Sequence, residues 1–323
     1  MTEESSKEYN HNEIKDYITS LIKRKYSCVP LTIKYLGGGS YGMAYKIQMD
    51  IPPYFMVIKV YRVDDLHRIE ANDLITLSKN TSIKIPNVYF IHDSDSNIPI
   101  NCLAMEWIDG INAASKIRFL FVSKKKKKRF ADIITNSMIE FHNCHNDKFG
   151  NIKNPQYDNW LDYYKPFAKS ILDKTCQLVK ENKIKKIVLK IMEQAYTMFD
   201  LIFEEEIKEA VLTHGDLNVM NIMVNPNSFE PIAIIDPLES KYADREFDLF
   251  QLNNLTGRYY GLYKTYKEKY QVSKNCDIKC AFYALWNEVY CYIKSGKLFV
   301  SIMKPLVKNM NRELKKFKER RKK

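Results

Sequence analysis

The chain has 323 residues, of which 45% are hydrophobic and 28% are charged. This composition is typical of globular proteins and excludes a disordered, collagen-like or disulfide-scaffold chain. Its seven scattered cysteines favour a reducing cytosol over a complete disulfide framework. The N-terminus has no apolar segment, and no stretch reaches 18 consecutive apolar residues. We therefore expect a cytoplasmic protein without a secretory signal or a membrane span.

The net charge of +12 is concentrated in two segments. The run 124–129 carries six positive charges and no negative one, and the tail from about residue 308 holds nine Lys or Arg against two Glu. These two segments account for the whole excess, so the rest of the chain is close to neutral. A nucleic-acid-binding fold would present a basic working face. We therefore do not expect nucleic acid as a partner.

The first third of the sequence is rich in β-prone segments. Three short runs at 32–36, 43–49 and 55–61 are separated by glycines and by Pro52-Pro53, which predicts a meander of antiparallel strands. Apolar residues at helical spacing then predict a helix over 64–79.

Two further strands are expected at 88–91 and 98–108, and the pattern changes to helical spacing after residue 110. Ser123 is in position to cap a helix that carries the lysine run in its first turns. Residues 160–208 and 277–319 are also predicted to be helical.

A glycine-rich segment lies between the first two predicted strands. It reads Gly37-x-Gly39-x-x-Gly42, with Ser40 inside it. Glycines let the backbone close over a phosphate chain, with N–H groups donating to its oxygens. No helix follows and no Gly-Lys-Ser/Thr is present, so neither the dinucleotide fingerprint nor the Walker loop fits. The segment is either a flap over phosphates or a plain hairpin turn.

The third predicted strand contains a lysine among apolar residues, Val57-Ile58-Lys59-Val60. A buried lysine requires a negative partner, because an unpaired buried charge is costly. Glu70, on the predicted helix, can supply that partner and leave the lysine free to hold phosphates. The alternative is a surface lysine on the solvent side of an edge strand.

An aspartate and an asparagine stand five positions apart in the segment His214 to Asn221, after the strand-like Ala210-Val211-Leu212. Phosphoryl transfer to a hydroxyl uses a carboxylate that orients the acceptor and takes its proton, together with a neutral oxygen ligand for magnesium. Asp216 and Asn221 match these requirements in type and spacing. An Asp/Asn-rich turn is the alternative.

A single carboxylate, Asp236, ends the apolar run 232–235. Mg²⁺ prefers such a carboxylate together with phosphate oxygens. Strands that end at 212, 224 and 235 would bring Asp216, Asn221 and Asp236 together. The sequence therefore predicts Asn221 and Asp236 as a metal-binding pair beside Asp216.

These motifs, in this order, resemble the aminoglycoside phosphotransferase and fructosamine kinase group of the protein-kinase-like superfamily, from about residue 32 to 299. The family signature HGD-x-x-x-x-N stands at His214–Asn221, and the metal aspartate at Asp236. The resemblance implies that Asp248 braces the catalytic loop. It also places the hinge that meets adenine at 105–108, with Glu106 and Ile108 as its contacts.

The resemblance implies an α+β, two-lobed protein-kinase-like fold. The small antiparallel-sheet lobe would be residues 1–108 and the larger helical lobe residues 109–323, with the basic tail from about 308. ATP and Mg²⁺ are the implied cofactors, and Asp216 is the implied catalytic residue. The implied ATP contacts are Gly37, Gly39, Ser40, Gly42, Lys59, Glu70, Glu106 and Ile108.

The implied reaction is phosphorylation of a hydroxyl on a small molecule such as an amino sugar, a ketosamine (fructosamine) or an aminoglycoside. A polycationic aminoglycoside requires clustered carboxylates, for which the acids at 204–206 and Glu209 are candidates. Two alternatives are a kinase-like module that binds nucleotide without turnover and an atypical protein kinase. Only seven residues separate Asp236 from Asp244, which leaves no room for a long activation loop.

Two groups of residues suggest metal sites but are interpreted as structural. His142, Cys144 and His145 lack a second ligand pair, so a polar helix end is expected there. Cys276 and Cys280 are four residues apart and are expected to be thiols on one helix face.

Overall fold

Five antiparallel strands in the order β1-β2-β3-β5-β4 form the largest sheet of the computed structural model, which describes residues 10–114 and 122–322. The strands are β1 (Thr32–Gly38), β2 (Gly42–Gln48), β3 (Phe55–Tyr61), β4 (Val88–His92) and β5 (Asn101–Glu106). The predicted meander is confirmed. The strand expected over 98–108 is shorter, because a turn closes from Asp95 N–H to the Ile98 carbonyl and Pro99 follows it.

A helix that sequence analysis did not predict, α1 (His11–Tyr26), covers one face of this sheet. The Asn10 side chain caps its first turn by accepting from the Asn12 N–H. Its buried residues recur at helical spacing and pack against one set of alternating strand residues. On the helix these residues are Ile14, Ile18, Leu21 and Ile22, and on β2 and β3 they include Tyr45, Ile47, Met56 and Ile58.

The opposite face of the sheet carries the other alternating set, including Lys59 and Tyr61, and packs against α2 (Leu66–Ser78). The predicted helix at 64–79 is confirmed. Its Leu74 and Leu77 belong to a second hydrophobic cluster that extends into the helices of the C-terminal part.

Two small sheets lie in the C-terminal part. One has the order β11-β10-β6 and contains β6 (Ile111–Asn112), β10 (Ile222–Val224) and β11 (Pro231–Ile234). The other has the order β7-β9-β12-β8 and contains β7 (His145–Asn146), β8 (Gly150–Asn151), β9 (Ala210–Thr213) and β12 (Lys241–Ala243). A 3₁₀ turn at Val219–Asn221 connects β9 to β10, so these strands frame the segment that carries Asp216 and Asn221.

Nine helices make up most of the described C-terminal part. They are α3 (Lys124–His142), α4 (Trp160–Lys180), α5 (Lys186–Tyr196), α6 (Phe199–Ile202), α7 (Glu246–Leu252), α8 (Leu255–Tyr260), α9 (Leu262–Lys269), α10 (Cys276–Ser295) and α11 (Val300–Arg320). Ser123 caps α3 as predicted. The region expected as one helical end over 277–319 is two helices, because Gly296 adopts a φ of +67° and ends α10.

Aromatic side chains dominate the core between α4, α7 and α10. The Trp286 ring stacks on Phe282 with centroids 3.6 Å apart, and the Trp160 indole N–H donates to the Tyr283 hydroxyl at 2.9 Å. Beneath them, the Lys279 ammonium is buried between Asp244 and Glu246. A helix with the length and apolar content needed to cross a bilayer does not occur in the described part of the chain.

We expect the packing of α1 to be an important source of stability for the five-stranded sheet. Ile18→Ala removes a fully buried side chain and should lower the free energy of unfolding by about 2–5 kcal/mol in urea titrations. The exposed neighbour Asp16→Ala should change it by less than about 0.5 kcal/mol. Equal, small effects of the two substitutions would show that α1 does not contribute to the core.

Candidate active site

Lys59 lies in the middle of the sheet, where β3 pairs with β2 on one side and β5 on the other. Its ammonium Nζ donates to Glu70 Oε2 at 2.7 Å and also to Asp236 Oδ1. The Lys59 side chain is 18% exposed. The alternative of a surface lysine on an edge strand is therefore wrong, and the predicted Lys59–Glu70 pair is present.

The charges of this cluster depend on one another. Burial alone would lower the pKa of Lys59, but the carboxylates of Asp236 and Glu70 outweigh it and raise that pKa. Burial raises the pKa of Glu70, and the Lys59 ammonium opposes that effect. The Tyr61 hydroxyl also donates to Glu70 Oε2, at 2.6 Å. Lys59 is therefore held as a cation at a fixed position.

The segment that follows β9 is held by Asp248 on α7. Its two carboxylate oxygens accept from the N–H groups of His214 and Gly215, each at 2.8 Å. The bracing role implied for Asp248 matches this geometry. Burial lowers the pKa of His214 to about 4, so the imidazole is neutral at pH 7.

Gly215 allows two backbone segments to meet. Its φ is +81°, and a Cβ at this position would lie within 3.0 Å of the Leu238 carbonyl oxygen. The Leu238 N–H in turn donates to the His214 carbonyl at 3.3 Å. The chain after Asp236 is therefore packed directly against the chain before Asp216.

Asp216 is partly buried and surrounded by amide donors. Asn218 Nδ2 donates to its Oδ1 and Asn221 Nδ2 to its Oδ2, each at 3.0 Å, and Gln251 Nε2 also donates to Oδ1. Burial, and then the charge of Asp236, raise the pKa of Asp216 to about 7, although these hydrogen bonds oppose the shift. Three amides thus orient the carboxylate, and its pKa lies close to neutral pH.

Asn221 and Asp236 meet as the sequence predicted. The Ile235 N–H donates to the Asn221 carbonyl at 2.9 Å, and Asn221 Nδ2 approaches the Asp236 carbonyl at 3.4 Å. Because Asn221 uses its amide nitrogen for Asp216, its oxygen Oδ1 is the atom left for a cation. The Asp236 side chain is 49% exposed. One amide oxygen beside one exposed carboxylate is a donor set that fits Mg²⁺ with phosphate oxygens as further ligands.

The glycine-rich segment forms the turn between β1 and β2, closed by the Gly39 N–H donating to the Gly42 carbonyl at 3.0 Å. A Cβ on Gly42 would lie within 3.0 Å of the Val60 carbonyl oxygen, so this glycine is required by the close approach of β3. Around Gly39, by contrast, a Cβ would meet nothing within 4 Å. The turn is anchored at Gly42 and open around Gly39.

Glu106 ends β5 with its side chain occupied. The carboxylate pairs with the Lys84 ammonium at 2.7 Å and accepts from Asn87 Nδ2 at 2.7 Å. Any contact of the segment 106–108 with a ligand would therefore come from the main chain at Glu106 and from Ile108, which lies past the end of the strand.

Sequence analysis missed two side chains that contact the site. Gln251 donates to Asp216 and lies three residues after Asp248 on α7, a spacing that puts both on one helix face. Asp73 on α2 accepts from the Ser240 N–H at 2.9 Å. The spacing on α7 was the available signal for Gln251, whereas only the tertiary structure connects Asp73 to Ser240.

Two of the acidic residues before β9 are paired with basic side chains. Glu204 pairs with Lys274 at 3.1 Å and with Arg321, and Glu209 pairs with Arg245 at 2.8 Å. Glu209 precedes β9 and His214 follows it, so the strand separates these acids from Asp216. Glu204 and Glu209 are therefore neutralised by basic residues, which weakens the candidate role considered for them.

Residues of the two groups that suggested metal sites make contacts within the protein. His142 is buried and its Nδ1 lies 2.7 Å from the Tyr266 hydroxyl. The thiols of Cys276 and Cys280 are 3.9 Å apart on α10. Within residues 10–114 and 122–322, no group of three or more His, Cys, Asp or Glu side chains is arranged to hold a metal ion.

The chain is similar in sequence to known proteins. The sequence profile described as fructosamine kinase matches residues 11–313. The uncharacterised protein YcbJ of Escherichia coli K12 is 20% identical over 224 residues, which are 68% of this chain and 73% of YcbJ.

Two solved structures have the same fold. One, from Haemophilus somnus 129PT, is provisionally named a fructosamine-3-kinase; it is 19% identical, with a TM-score of 0.65 over 92% of this chain and 96% of its own. The other is the ADP-bound aminoglycoside phosphotransferase APH(2″)-Ib, 16% identical, with a TM-score of 0.62 over 93% of this chain and 98% of its own. The fold is thus the expected α+β, two-lobed kinase-like fold.

The contact at Gly215 can be tested with a matched pair of substitutions. Gly215→Ala and Gly261→Ala both place a side chain at a positive φ, but a Cβ at Gly261 meets nothing within 4 Å. Both variants should lose about 1 kcal/mol of unfolding free energy from backbone strain. Gly215→Ala should lose at least about 1 kcal/mol more, measured by urea unfolding, because the loop must move away from Leu238. Equal losses would contradict the close approach.

Proposed function

The chain belongs to the fructosamine kinase family, whose members are small-molecule kinases, and from this premise we propose that it transfers a phosphoryl group from MgATP to a hydroxyl of a ketosamine or a related amino sugar. The observation that carries the proposal is one continuous set of contacts. Lys59 binds Asp236, Asp236 meets Asn221, and Asn221 binds Asp216. Phosphoryl transfer requires a cation for phosphates, a metal pair and a base side by side.

The nucleotide would lie between the units 1–108 and 109–323. The main chain of the turn at Gly37, Gly39, Ser40 and Gly42 would cover its phosphates, and the main chain at Glu106 and Ile108 would meet the adenine. Lys59, oriented by Glu70, would contact phosphate oxygens. The open space around Gly39 and the ADP bound by the similar phosphotransferase support this arrangement.

Asn221 Oδ1 and the Asp236 carboxylate would hold Mg²⁺. Both are oxygen donors, and Asp236 is exposed enough to bind a hydrated cation. The bound ion would neutralise charge on the phosphate oxygens during transfer. Asp236 also contacts Lys59, so the same carboxylate ties the metal position to the phosphate-binding lysine.

Asp216 would orient the acceptor hydroxyl and take its proton. Its three amide donors fix the carboxylate plane. Its pKa, raised to about 7 by burial and by Asp236, makes it a stronger base than an exposed aspartate. Holding the hydroxyl in line with the phosphate is worth more than the proton transfer itself in reactions of this type.

The engagement of the acidic run favours a ketosamine over an aminoglycoside. An aminoglycoside carries several positive charges and requires several free carboxylates, whereas Glu204 and Glu209 are already paired with basic residues. A ketosamine carries one amine and several hydroxyls, which a few polar side chains can bind.

We also propose a cytoplasmic location, in line with the seven free cysteines.

An acceptor panel tests the proposal. The protein is incubated with γ-labelled ATP, with and without Mg²⁺, and with ketosamines, free amino sugars, aminoglycosides and a generic protein substrate. We expect Mg²⁺-dependent labelling, with the highest kcat/KM for a ketosamine. Labelling of protein alone would indicate an atypical protein kinase. Nucleotide binding without transfer to any acceptor would indicate a binding module, and either result would overturn the proposal.

Asp216→Asn should nearly abolish transfer and leave ATP affinity almost unchanged. A positioned base contributes about 10²–10⁴-fold to the rate, while the proposed nucleotide contacts are made by other residues. Single-turnover transfer and equilibrium ATP binding measure the two quantities separately. Turnover within a factor of a few of the wild type would remove Asp216 from the mechanism.

Asp236→Ala should weaken the binding of MgATP much more than that of metal-free ATP. Asn221→Ala should do the same to a smaller degree, because a neutral amide attracts the cation less than a carboxylate does. The exposed Asp50→Ala is the matched control, since it removes one negative charge away from the site. Mg²⁺ is titrated at saturating ATP. An unchanged midpoint in a folded Asp236→Ala protein would refute the metal assignment.

A further inference from the structure

Helix α2 contains a second buried acid, Asp73, one turn after Glu70. Asp73 is 2% exposed, and its Oδ2 accepts from the Ser240 N–H at 2.9 Å. It forms no ion pair with any residue in 10–114 or 122–322, so its charge is buried with one backbone donor as its direct partner. Burial raises the pKa of Asp73 to about 7. A carboxylate kept at this cost calls for a role beyond packing.

Ser240 continues the contact into the catalytic loop. It is 3% exposed, and its hydroxyl donates to the His214 carbonyl at 3.1 Å. The His214 N–H is the group held by Asp248, and Asp216 follows two residues later. A chain of hydrogen bonds thus runs from α2 through Ser240 to the loop that carries Asp216.

The segment 237–240 is also held from its other side. The Glu239 carboxylate accepts from the Tyr290 hydroxyl at 2.7 Å and lies 3.5 Å from the Lys294 ammonium, both on α10. The segment is therefore clamped between α2 and α10. Only seven residues separate Asp236 from Asp244. The segment is therefore short and held on both sides, and it has no room for a long regulatory loop.

We propose that Asp73 is a positioning residue that fixes α2 to the catalytic loop, so that the Lys59–Glu70 pair and Asp216 are held in register. The proposal rests on the proposed phosphotransferase function. Glu70 orients Lys59 from α2, and Asp73, three residues later, ties the same helix to Ser240. Without this tie α2 can shift relative to the segment that carries Asp216, and Glu70, which orients Lys59, would shift with it.

The kinetic test compares Asp73→Ala and Asp73→Asn with Asn72→Ala, a neighbouring substitution on α2 whose side chain is only partly buried. Asp73→Ala removes the acceptor of a buried N–H, and we expect kcat to fall about 10-fold with the acceptor KM changed less than about 2-fold. Asp73→Asn keeps an accepting oxygen and should recover kcat to within about 3-fold of the wild type. Asn72→Ala should match the wild type.

Hydrogen exchange provides a readout that does not depend on activity. Asp73→Ala should increase exchange at the amides of 214–217 and 237–240, whereas Asn72→Ala should not. If Asp73→Ala does not fold, Ser240→Ala, which removes only the hydroxyl link to His214, should still raise exchange at 214–217 and lower kcat. Failure of the wild type to phosphorylate any acceptor would refute the proposed function, while the exchange experiment would still decide the role of Asp73.

Two results would overturn the inference. One is a lower melting temperature of Asp73→Ala with unchanged kcat per folded molecule and unchanged exchange at 214–217, which would make Asp73 purely structural. The other is an Asp73→Asn variant as impaired as Asp73→Ala, which would mean that the hydrogen bond to Ser240 is not the contact that matters.

Discussion

The position of the Lys59 ammonium constrains the rest of the site. A buried ammonium without a counter-charge is costly, and here two carboxylates from different elements neutralise it. Glu70 comes from α2 and Asp236 from the segment after β11. The electrostatic requirement of one side chain therefore fixes the five-stranded sheet, α2 and the segment that carries Asp236 relative to one another.

A second constraint acts on the backbone. Asp248 accepts from two consecutive N–H groups at the start of the loop that carries Asp216, and Gly215 lets that loop touch the chain at Leu238. Because the loop is held by main-chain contacts, the side chains of Asp216 and Asn221 are free to bind each other and to meet ligands. The neutral His214 fills the space between these contacts without adding charge.

Most residues of the candidate site could be predicted from the sequence, because each of them stands in a short segment whose residue types and spacing identify it. Lys59 on an apolar strand, and Asp216, Asn221 and Asp236 at strand ends, can be read from residue type and spacing, and the structure brings them together. Helix α1 was missed although its apolar spacing was present. Gln251 was missed although its spacing from Asp248 on α7 was an available signal, whereas Asp73 could not be assigned, because its partner Ser240 lies in a distant part of the sequence. The acidic residues before β9 were misleading for the same reason, since the basic partners of Glu204 and Glu209 come from later segments of the chain.

In the described part of the chain a lysine lies between two carboxylates at two places, Lys279 and Lys59, and the exposure of the acids distinguishes the two clusters. Lys279 lies between Asp244 and Glu246 with the lysine and both acids only 4% exposed, so no ligand can replace either partner. At Lys59 one partner, Glu70, is 7% exposed, but the other, Asp236, is 49% exposed. The first cluster can only stabilise the packing of α7 and α10. In the Lys59 cluster, a phosphate or a metal ion can reach the lysine and Asp236 while Glu70 keeps the ammonium in place. A buried ion pair can thus serve ligand binding only where one of its partners is open to solvent.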